Sequence, residues 1–109
     1  MQQDDRKLKQ LTESVTEILY HYDPVGMVDY SLPKDEYSIE AGNIVSRLDE
    51  VTDLRSLRWM VYDVLVFWFS ENMILANSNK CYRYIAEEIW EDWQIIIDGK
   101  SLKRRSDDI

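Results

Sequence analysis

The chain has 109 residues, of which 45% are apolar and 12% aromatic, and its formal net charge is -8. This length suits one domain, spanning residues 1–109, that can bury a core without disulfides, and a single cysteine cannot form an internal one. No apolar run approaches the ~18 residues of a membrane span, the N-terminus lacks a signal-peptide core, and the acidic balance disfavours binding to nucleic acid or anionic lipid. We therefore expect a cytoplasmic protein without a membrane or nucleic-acid partner.

Four apolar series at helical spacing predict an all-α fold, a compact bundle of about four helices. The first series predicts a helix that ends before Pro24, because proline cannot continue a helix. Its members recur at steps of three and four: Leu8, Leu11, Val15, Ile18 and Tyr22.

The second series predicts a helix that begins at Asp35 as its N-cap, with Glu36 near the positive end of the helix dipole. Its apolar members extend the predicted helix to residue 51: Tyr37, Ala41, Ile44, Leu48 and Val51.

The third helix is predicted to begin after Thr52 or Asp53. From residue 59 to residue 69 every side chain except Asp63 is apolar or aromatic. A helix that is apolar nearly all round belongs at the centre of a bundle, so we expect this one there. Residues 70–76 either extend this helix or form a separate turn.

The fourth helix is predicted to start after the capping stretch at residues 77–79 and to end at Gly99. Its apolar series is Tyr82, Ile85, Ile89, Trp93 and Ile96. Residues 100–109 are polar and are expected to form a flexible tail.

The connection between the first two helices is the most distinctive stretch. Pro24 fixes the backbone after the first helix and Gly26 can adopt a positive φ, so residues 23–26 predict a defined turn. The connection is long and ordered in this interpretation, and links of about a dozen residues within helical bundles are often functional. The alternative is a structural connector whose tyrosines pack on the bundle.

The negative charge is concentrated in residues 10–54, which hold ten acids and two bases, while both flanks are nearly neutral. This segment predicts a docking surface for a basic partner, because carboxylates pair with arginine and tyrosine supplies contact area. The alternative is a solvated acidic surface that maintains solubility. The candidate partner-binding residues are Tyr22, Asp23, Asp29, Tyr30, Asp35, Glu36, Tyr37, Glu40 and Asp49. A second candidate face consists of Glu87, Glu88, Glu91 and Asp92.

Catalytic and metal-binding chemistry has little support in the sequence. His21 lacks a visible orienting partner, and Cys81, in the first turn of the fourth helix, has no second histidine for a dyad. The carboxylate pairs on the fourth helix lack the Glu-x-x-His motif of di-metal bundles, so a solvated acidic face is favoured over a metal site. We predict no enzyme activity, no catalytic residue, no metal and no cofactor.

Several short motifs resemble a known family. They are Asp23-Pro24-Val25-Gly26, Asp35-Glu36-Tyr37, Phe67-Trp68-Phe69 and Ile85-Ala86-Glu87-Glu88-Ile89-Trp90. Together, over roughly residues 8–97, they resemble small helical bacterial proteins with an Asp-Pro-x-Gly and Asp-Glu-Tyr signature, some of which are immunity proteins of contact-dependent growth inhibition systems. The resemblance implies a protein that binds and neutralises a cognate toxin domain.

The charge distribution is compatible with this role. Nuclease toxins need basic grooves, so we expect the toxin to be a nuclease, with RNA as its target, whose substrate-binding surface is covered by an acidic face. Two alternatives remain at this point: a small intracellular adaptor or regulatory protein without a toxin partner, and an enzyme or metal-binding bundle.

Overall fold

The structure is a computed structural model. It describes residues 2–24, 26, 36–69 and 81–99, with side chains from Arg6 onwards. Regular structure in these ranges is entirely helical, which confirms the all-α prediction, and none of these helices is long and apolar enough to cross a membrane. The elements are α1 (Gln2–Tyr22), α2 (Ser38–Ser46), a 3₁₀ turn (Leu48–Glu50), α3 (Leu54–Trp68) and α4 (Tyr82–Ile97).

Some predictions concern segments beyond these ranges. Most of the α1–α2 connection, the ambiguous segment at 70–76, the capping stretch at 77–79 and the tail at 100–109 lie outside the described residues.

α1 ends where the sequence predicts. Its series buries Leu11, Val15 and Ile18 almost completely, while Leu8 lies 40% exposed. The amide of Asp23 still donates to the carbonyl of Leu19 (2.8 Å), but Asp23 itself adopts the left-handed conformation with φ 48° and the helix stops there. A left-handed residue followed by proline is a common helix ending.

The turn after α1 also forms as predicted. The amide of Gly26 donates to the carbonyl of Asp23 (3.0 Å), and Gly26 has a φ of 69°. This conformation favours glycine, because a side chain at positive φ collides with the backbone.

α2 is shorter than its apolar series suggests, and the predicted helix from Asp35 to Val51 is wrong at both ends. The N-cap position belongs to Tyr37, which makes no side-chain cap bond, while Asp35 lies outside the described residues. After Ser46 the chain changes to the 3₁₀ turn, which still buries Leu48 completely. In both an α-helix and a 3₁₀-helix, residues three or four positions apart lie on roughly the same side. The spacing of apolar residues therefore does not distinguish the two kinds of helix.

α3 begins with a capping box. The Asp53 carboxylate accepts from the amide of Ser56 (2.8 Å), and the Ser56 hydroxyl accepts from the amide of Asp53 (3.1 Å). These bonds satisfy amides that have no partner within the helix, as the predicted start after Thr52 or Asp53 requires.

The four helices form a ring. α1 packs mainly against α2 and α4, and α3 packs against the same two helices, so α1 and α3 lie on opposite sides. The prediction that α3 lies at the centre of the bundle is therefore wrong. In a ring of four, each helix has an inward face that joins the core and an outward face that no other helix of the ring covers.

α4 runs antiparallel to α1. Lys7 donates to the carbonyl of Gly99 (3.0 Å), Ser14 bonds Asp92, and Tyr22 bonds Glu88, so residue numbers fall along α4 as they rise along α1. The helix ends at Ile97, where Gly99 has a φ of 79° and its amide donates to the carbonyl of Ile96, as predicted for a glycine ending.

Candidate functional site

The predicted docking surface contains two residues that instead join α1 to α2. Tyr37 has no exposed surface, and its hydroxyl donates a hydrogen bond to the Asp23 carboxylate (Oη to Oδ1, 2.7 Å). The Tyr37 ring also lies edge-on to that of Phe69, with the centroids 6.4 Å apart. In this fold Tyr37 contributes to the core and has no area to offer a partner, which corrects its assignment to an exposed surface.

The two predicted faces meet between α1 and α4. Tyr22 is half-buried, donates its hydroxyl to the Glu88 carboxylate, and stacks on Tyr84 with the ring centroids 6.4 Å apart. One turn further along α4, Asp92 accepts a bond from the buried hydroxyl of Ser14. Glu88 and Asp92 therefore face α1 and stabilise its packing, which corrects the prediction that they decorate the outer side of α4.

The other two residues of the second face lie on the outside of α4. Glu87 forms an exposed ion pair with Arg83 (3.4 Å), and Glu91 is exposed. An exposed pair of this kind adds little stability. The four carboxylates thus separate into two that bond α1 and two that face outward.

The remaining candidates of the first surface differ in burial. Glu36 is half-buried and Asp49 is exposed on the 3₁₀ turn, whereas Asp29, Tyr30 and Asp35 lie outside the described residues. Glu40 is only 5% exposed, and one of its carboxylate oxygens, Oε2, is buried without a hydrogen-bond partner. Burial raises the pKa of Glu40, because the charged carboxylate loses its hydration. An inward-facing Glu40 cannot pair with a partner's arginine on the surface.

The exposed acids that the structure describes within residues 10–54 lie on two elements. Glu13 belongs to the outer side of α1, while Asp49, Glu50 and Asp53 follow one another through the connection between α2 and α3. We call Asp49, Glu50 and Asp53 the acidic corner. Glu50 forms an exposed ion pair with Arg47 at 3.4 Å, and this pair offsets part of the negative charge of the corner.

The two candidate reactive side chains lie in different surroundings. His21 is exposed at the end of α1, edge-on to the Tyr22 ring at 5.0 Å. Cys81 is buried at the start of α4, and burial raises the pKa of its thiol, the opposite of the lowering that a helix N-terminus can produce. Across the described ranges, no three His, Cys, Asp or Glu side chains are grouped as a metal site would require.

The outward face of α3 is a surface that sequence reasoning missed. Trp59 is 61% exposed and Phe67 is 78% exposed on this face. Trp68 follows buried Val64 by one turn, so it lies at the C-terminal end of the inward side, where it is 43% exposed and its ring meets that of Phe67 edge to face at 5.4 Å. The buried side of the same helix carries Leu57 and Leu65, both fully enclosed. Single exposed apolar residues are ordinary, but several large aromatics on one helix are typical of an interaction surface.

Grooves flank this aromatic surface on both sides. Toward α2 the concave surface is lined by Arg47 and Asp63. Trp59 lies at one end of this surface and Phe67 at the other. Toward α4 the groove is lined by Arg55, Arg58, Trp59, Tyr62 and Tyr82. Trp59 is common to both sides. Tryptophan, tyrosine and arginine are the residue types that most often dominate protein-binding energetics.

Comparison of this chain with protein-family models, with curated proteins and with solved structures found no match. The fold and the surfaces define a small all-α protein with an exposed aromatic helix face, and membership of the immunity-protein family stays a prediction.

Proposed function

We propose that this chain acts by binding another protein, and that the outward face of α3 makes the central contact. The observation that carries this proposal is the exposure of Trp59 and Phe67 on a helix whose opposite side, with Leu57 and Leu65, is fully buried. Covering such rings removes apolar surface from water, at roughly 25 cal/mol for each Å². Arg47 and Arg58 beside them can supply directional bonds to the partner.

We further propose that the partner is a cognate toxin domain of a contact-dependent growth inhibition system, a nuclease acting on RNA. Two observations support this: the net charge of -8, concentrated in residues 10–54, and the short motifs that resemble immunity proteins. An acidic protein can occupy the basic groove of a nuclease and exclude its substrate, and opposite charges accelerate the encounter. The exposed acidic corner and Glu13 are the described residues available for that contact.

A helical adaptor or regulatory protein without a toxin partner is the second candidate. The aromatic face of α3 favours it as much as the first, because an apolar surface does not select a basic partner. The two candidates agree on a protein ligand and differ in its charge and identity.

Co-expression with a candidate toxin domain encoded beside this gene tests the immunity role. Rescue of growth and a complex that dissociates as salt is raised are expected, since steering between opposite charges is screened by ions. Absence of both rescue and complex at low salt would refute the toxin partner and favour the adaptor.

Matched variants then locate the contact. Phe67→Ser and Trp59→Ser should weaken the complex, whereas Ile39→Ser, which alters a residue 60% exposed on α2, serves as the control. Reversing the charges of Asp29, Asp35 and Asp49 to lysine should slow association, with Asp98→Lys at the far end of α4 as the charge control. Unchanged binding by the two α3 variants would exclude α3 as the central contact.

A further inference from the structure

The groove between α3 and α4 differs in charge from the rest of this acidic protein. It is lined by two arginines and three aromatic residues, Arg55, Arg58, Trp59, Tyr62 and Tyr82, around an open volume of about 720 Å³. Among the residues that the structure describes, no acidic side chain lines it. We call it the α3–α4 groove.

Two hydrogen-bond donors in the lining side chains have no partner within the ranges that the structure describes. The Nε of Arg58 and the hydroxyl of Tyr82 are both buried without a hydrogen-bond partner. Neither Arg55 nor Arg58 forms an ion pair within the described part of the chain, where the pairs are Arg47 with Glu50 and Arg83 with Glu87. A buried donor that bonds nothing costs free energy, so an acceptor arriving in the groove gains more than it would on an open surface.

The carboxylate of Asp53, which interacts electrostatically with Arg55, is already engaged. Arg55 helps to lower the pKa of Asp53, but the main cause of that lowering is the bond from the Ser56 amide, which occupies the carboxylate in the α3 cap. The Arg55 guanidinium has five donors in a planar fork that suits a carboxylate, and the cap does not use them.

The aromatic rings form a rigid apolar wall. Trp59 lies edge-on to Tyr62 with centroids 6.4 Å apart, and Tyr62 lies edge-on to Tyr82 at 5.8 Å. Burial raises the pKa of Tyr82 well above its ordinary value, so its hydroxyl stays protonated, and hence a donor, at physiological pH. Such a wall offers contact area to the apolar stem or neighbours of an acceptor group.

We propose that the α3–α4 groove binds an acidic segment of a partner protein, with a glutamate or aspartate carboxylate accepting from Arg58 and the Tyr82 hydroxyl. Arg55, at the exposed end, pairs with a second carboxylate of the same segment. The aromatic wall takes the apolar side chains between them. This assignment rests on the proposed function only in that the partner is a protein.

Charge decides between an acidic segment and a nucleic acid. A nucleic acid carries a negative charge at every phosphate. Most of these phosphates would lie outside the groove, where a protein with a net charge of -8 repels them and two arginines cannot neutralise them. A segment with two to four carboxylates separated by apolar residues meets less repulsion and uses the aromatic wall as well.

The test is a titration of the full chain with a capped octapeptide in which glutamate and leucine alternate, followed by nuclear magnetic resonance of the four tryptophan indoles. The octapeptide with glutamine in place of glutamate is the ligand control. We expect the glutamate peptide, and not the glutamine peptide, to shift the Trp59 indole, with affinity falling as salt is raised. Inorganic phosphate and an eight-nucleotide poly-deoxythymidine strand should bind more weakly than the glutamate peptide.

Three variants separate binding from folding. The double variant Arg55→Gln and Arg58→Gln should weaken peptide binding at least about tenfold, because each removes a charged donor. Arg6→Gln with Lys9→Gln, which removes the same charge from exposed positions on α1, should leave binding within about twofold. Tyr82→Phe should weaken binding by about threefold to tenfold while leaving the urea midpoint unchanged or raised, since its hydroxyl bonds nothing in the free protein.

Several results would overturn the assignment: equal binding of the two peptides, unchanged binding by the double arginine variant, or preference for the nucleotide strand or phosphate. A lower urea midpoint for Tyr82→Phe with unchanged peptide binding would instead make Tyr82 structural and also refute it. The titration requires no toxin, so its failure leaves the immunity proposal intact. Failure of toxin rescue likewise does not affect a positive titration.

Discussion

The hydrogen bond between Tyr37 and Asp23 can be tested by removing a single hydroxyl group. Tyr37 is fully buried, so Tyr37→Phe keeps the ring and its packing on Phe69 while deleting the bond to the Asp23 carboxylate. A hydrogen bond to a charged group contributes about 1.5–3 kcal/mol. Asp23 is half-buried and water can solvate it when the bond is lost, so we expect the variant to lose about 1–2 kcal/mol of unfolding free energy.

Asp23 supplies the other half of a double-mutant cycle. Asp23→Gly removes the acceptor and, because Asp23 has a φ of 48°, introduces no backbone strain. Glycine also enlarges the unfolded ensemble, but this effect is the same with tyrosine or phenylalanine at position 37 and cancels in the cycle. The coupling free energy should be about 1–1.5 kcal/mol.

Urea unfolding at pH 7, followed by circular dichroism and tryptophan fluorescence, measures all four proteins. Tyr37→Phe should lower the urea midpoint by about 0.5–1 M with an unchanged slope, and the melting temperature by roughly 4–8 °C. Thr12→Val, which removes an exposed hydroxyl bonded within α1, is the control and should change stability much less. Additive effects of Tyr37→Phe and Asp23→Gly, within about 0.3–0.5 kcal/mol, would refute the bond as a stabilising link between α1 and α2.

Three further predictions concern stability. Burial raises the pKa of Glu40, so the stability that its protonated form contributes is fully present below the ordinary glutamate pKa of about 4.3 and is lost as pH rises through the higher folded pKa. The gain in stability from Glu40→Gln should therefore grow between pH 4 and pH 7. A difference in urea midpoint that stays constant over this range would contradict the prediction. Gly42 lies within α2 with open space where a Cβ would be, so Gly42→Ala should raise the unfolding free energy by about 0.5–1 kcal/mol. A lower urea midpoint would show that the added methyl group does not fit there. Phe67→Ser should change stability by less than about 0.5 kcal/mol, whereas Leu57→Ala should cost about 2–5 kcal/mol; similar losses in calorimetry would contradict the outward placement of Phe67.

Local signals in the sequence were sufficient for the helical elements. The end of α1 follows from Asp23 and Pro24, and the start of α3 follows from Asp53 with its partner three residues on. Both are decided by residues within one turn of the boundary. The end of α2 was not predictable in this way, since Leu48 is buried equally well by an α-helix or by the 3₁₀ turn that replaces it.

The surfaces depend on contacts between distant residues, and here the sequence was less informative. Glu88 and Asp92 have the composition of a solvated face, but their hydroxyl partners stand 66 and 78 residues earlier on α1. The apolar run of α3 indicated that the helix is buried on all sides. Hydropathy does not reveal the arrangement of the helices, and in a ring of four the neighbouring helices leave one side of each helix uncovered. The arginines at 55 and 58 beside Trp59 and Tyr62 were the available signal for a binding surface.

The pairing of α1 with α4 has a consequence for the order of events during folding. The bonds from Lys7, Ser14 and Tyr22 all reach residues that the ribosome adds only after α2 and α3 are complete. Until α4 is available, α1 lacks the surface that α4 covers, and the hydroxyls of Ser14 and Tyr22 lack their carboxylate acceptors on α4. Closing a loop of this length costs more conformational entropy than forming a local helix, so we expect the contacts between α1 and α4 to form after the helices themselves.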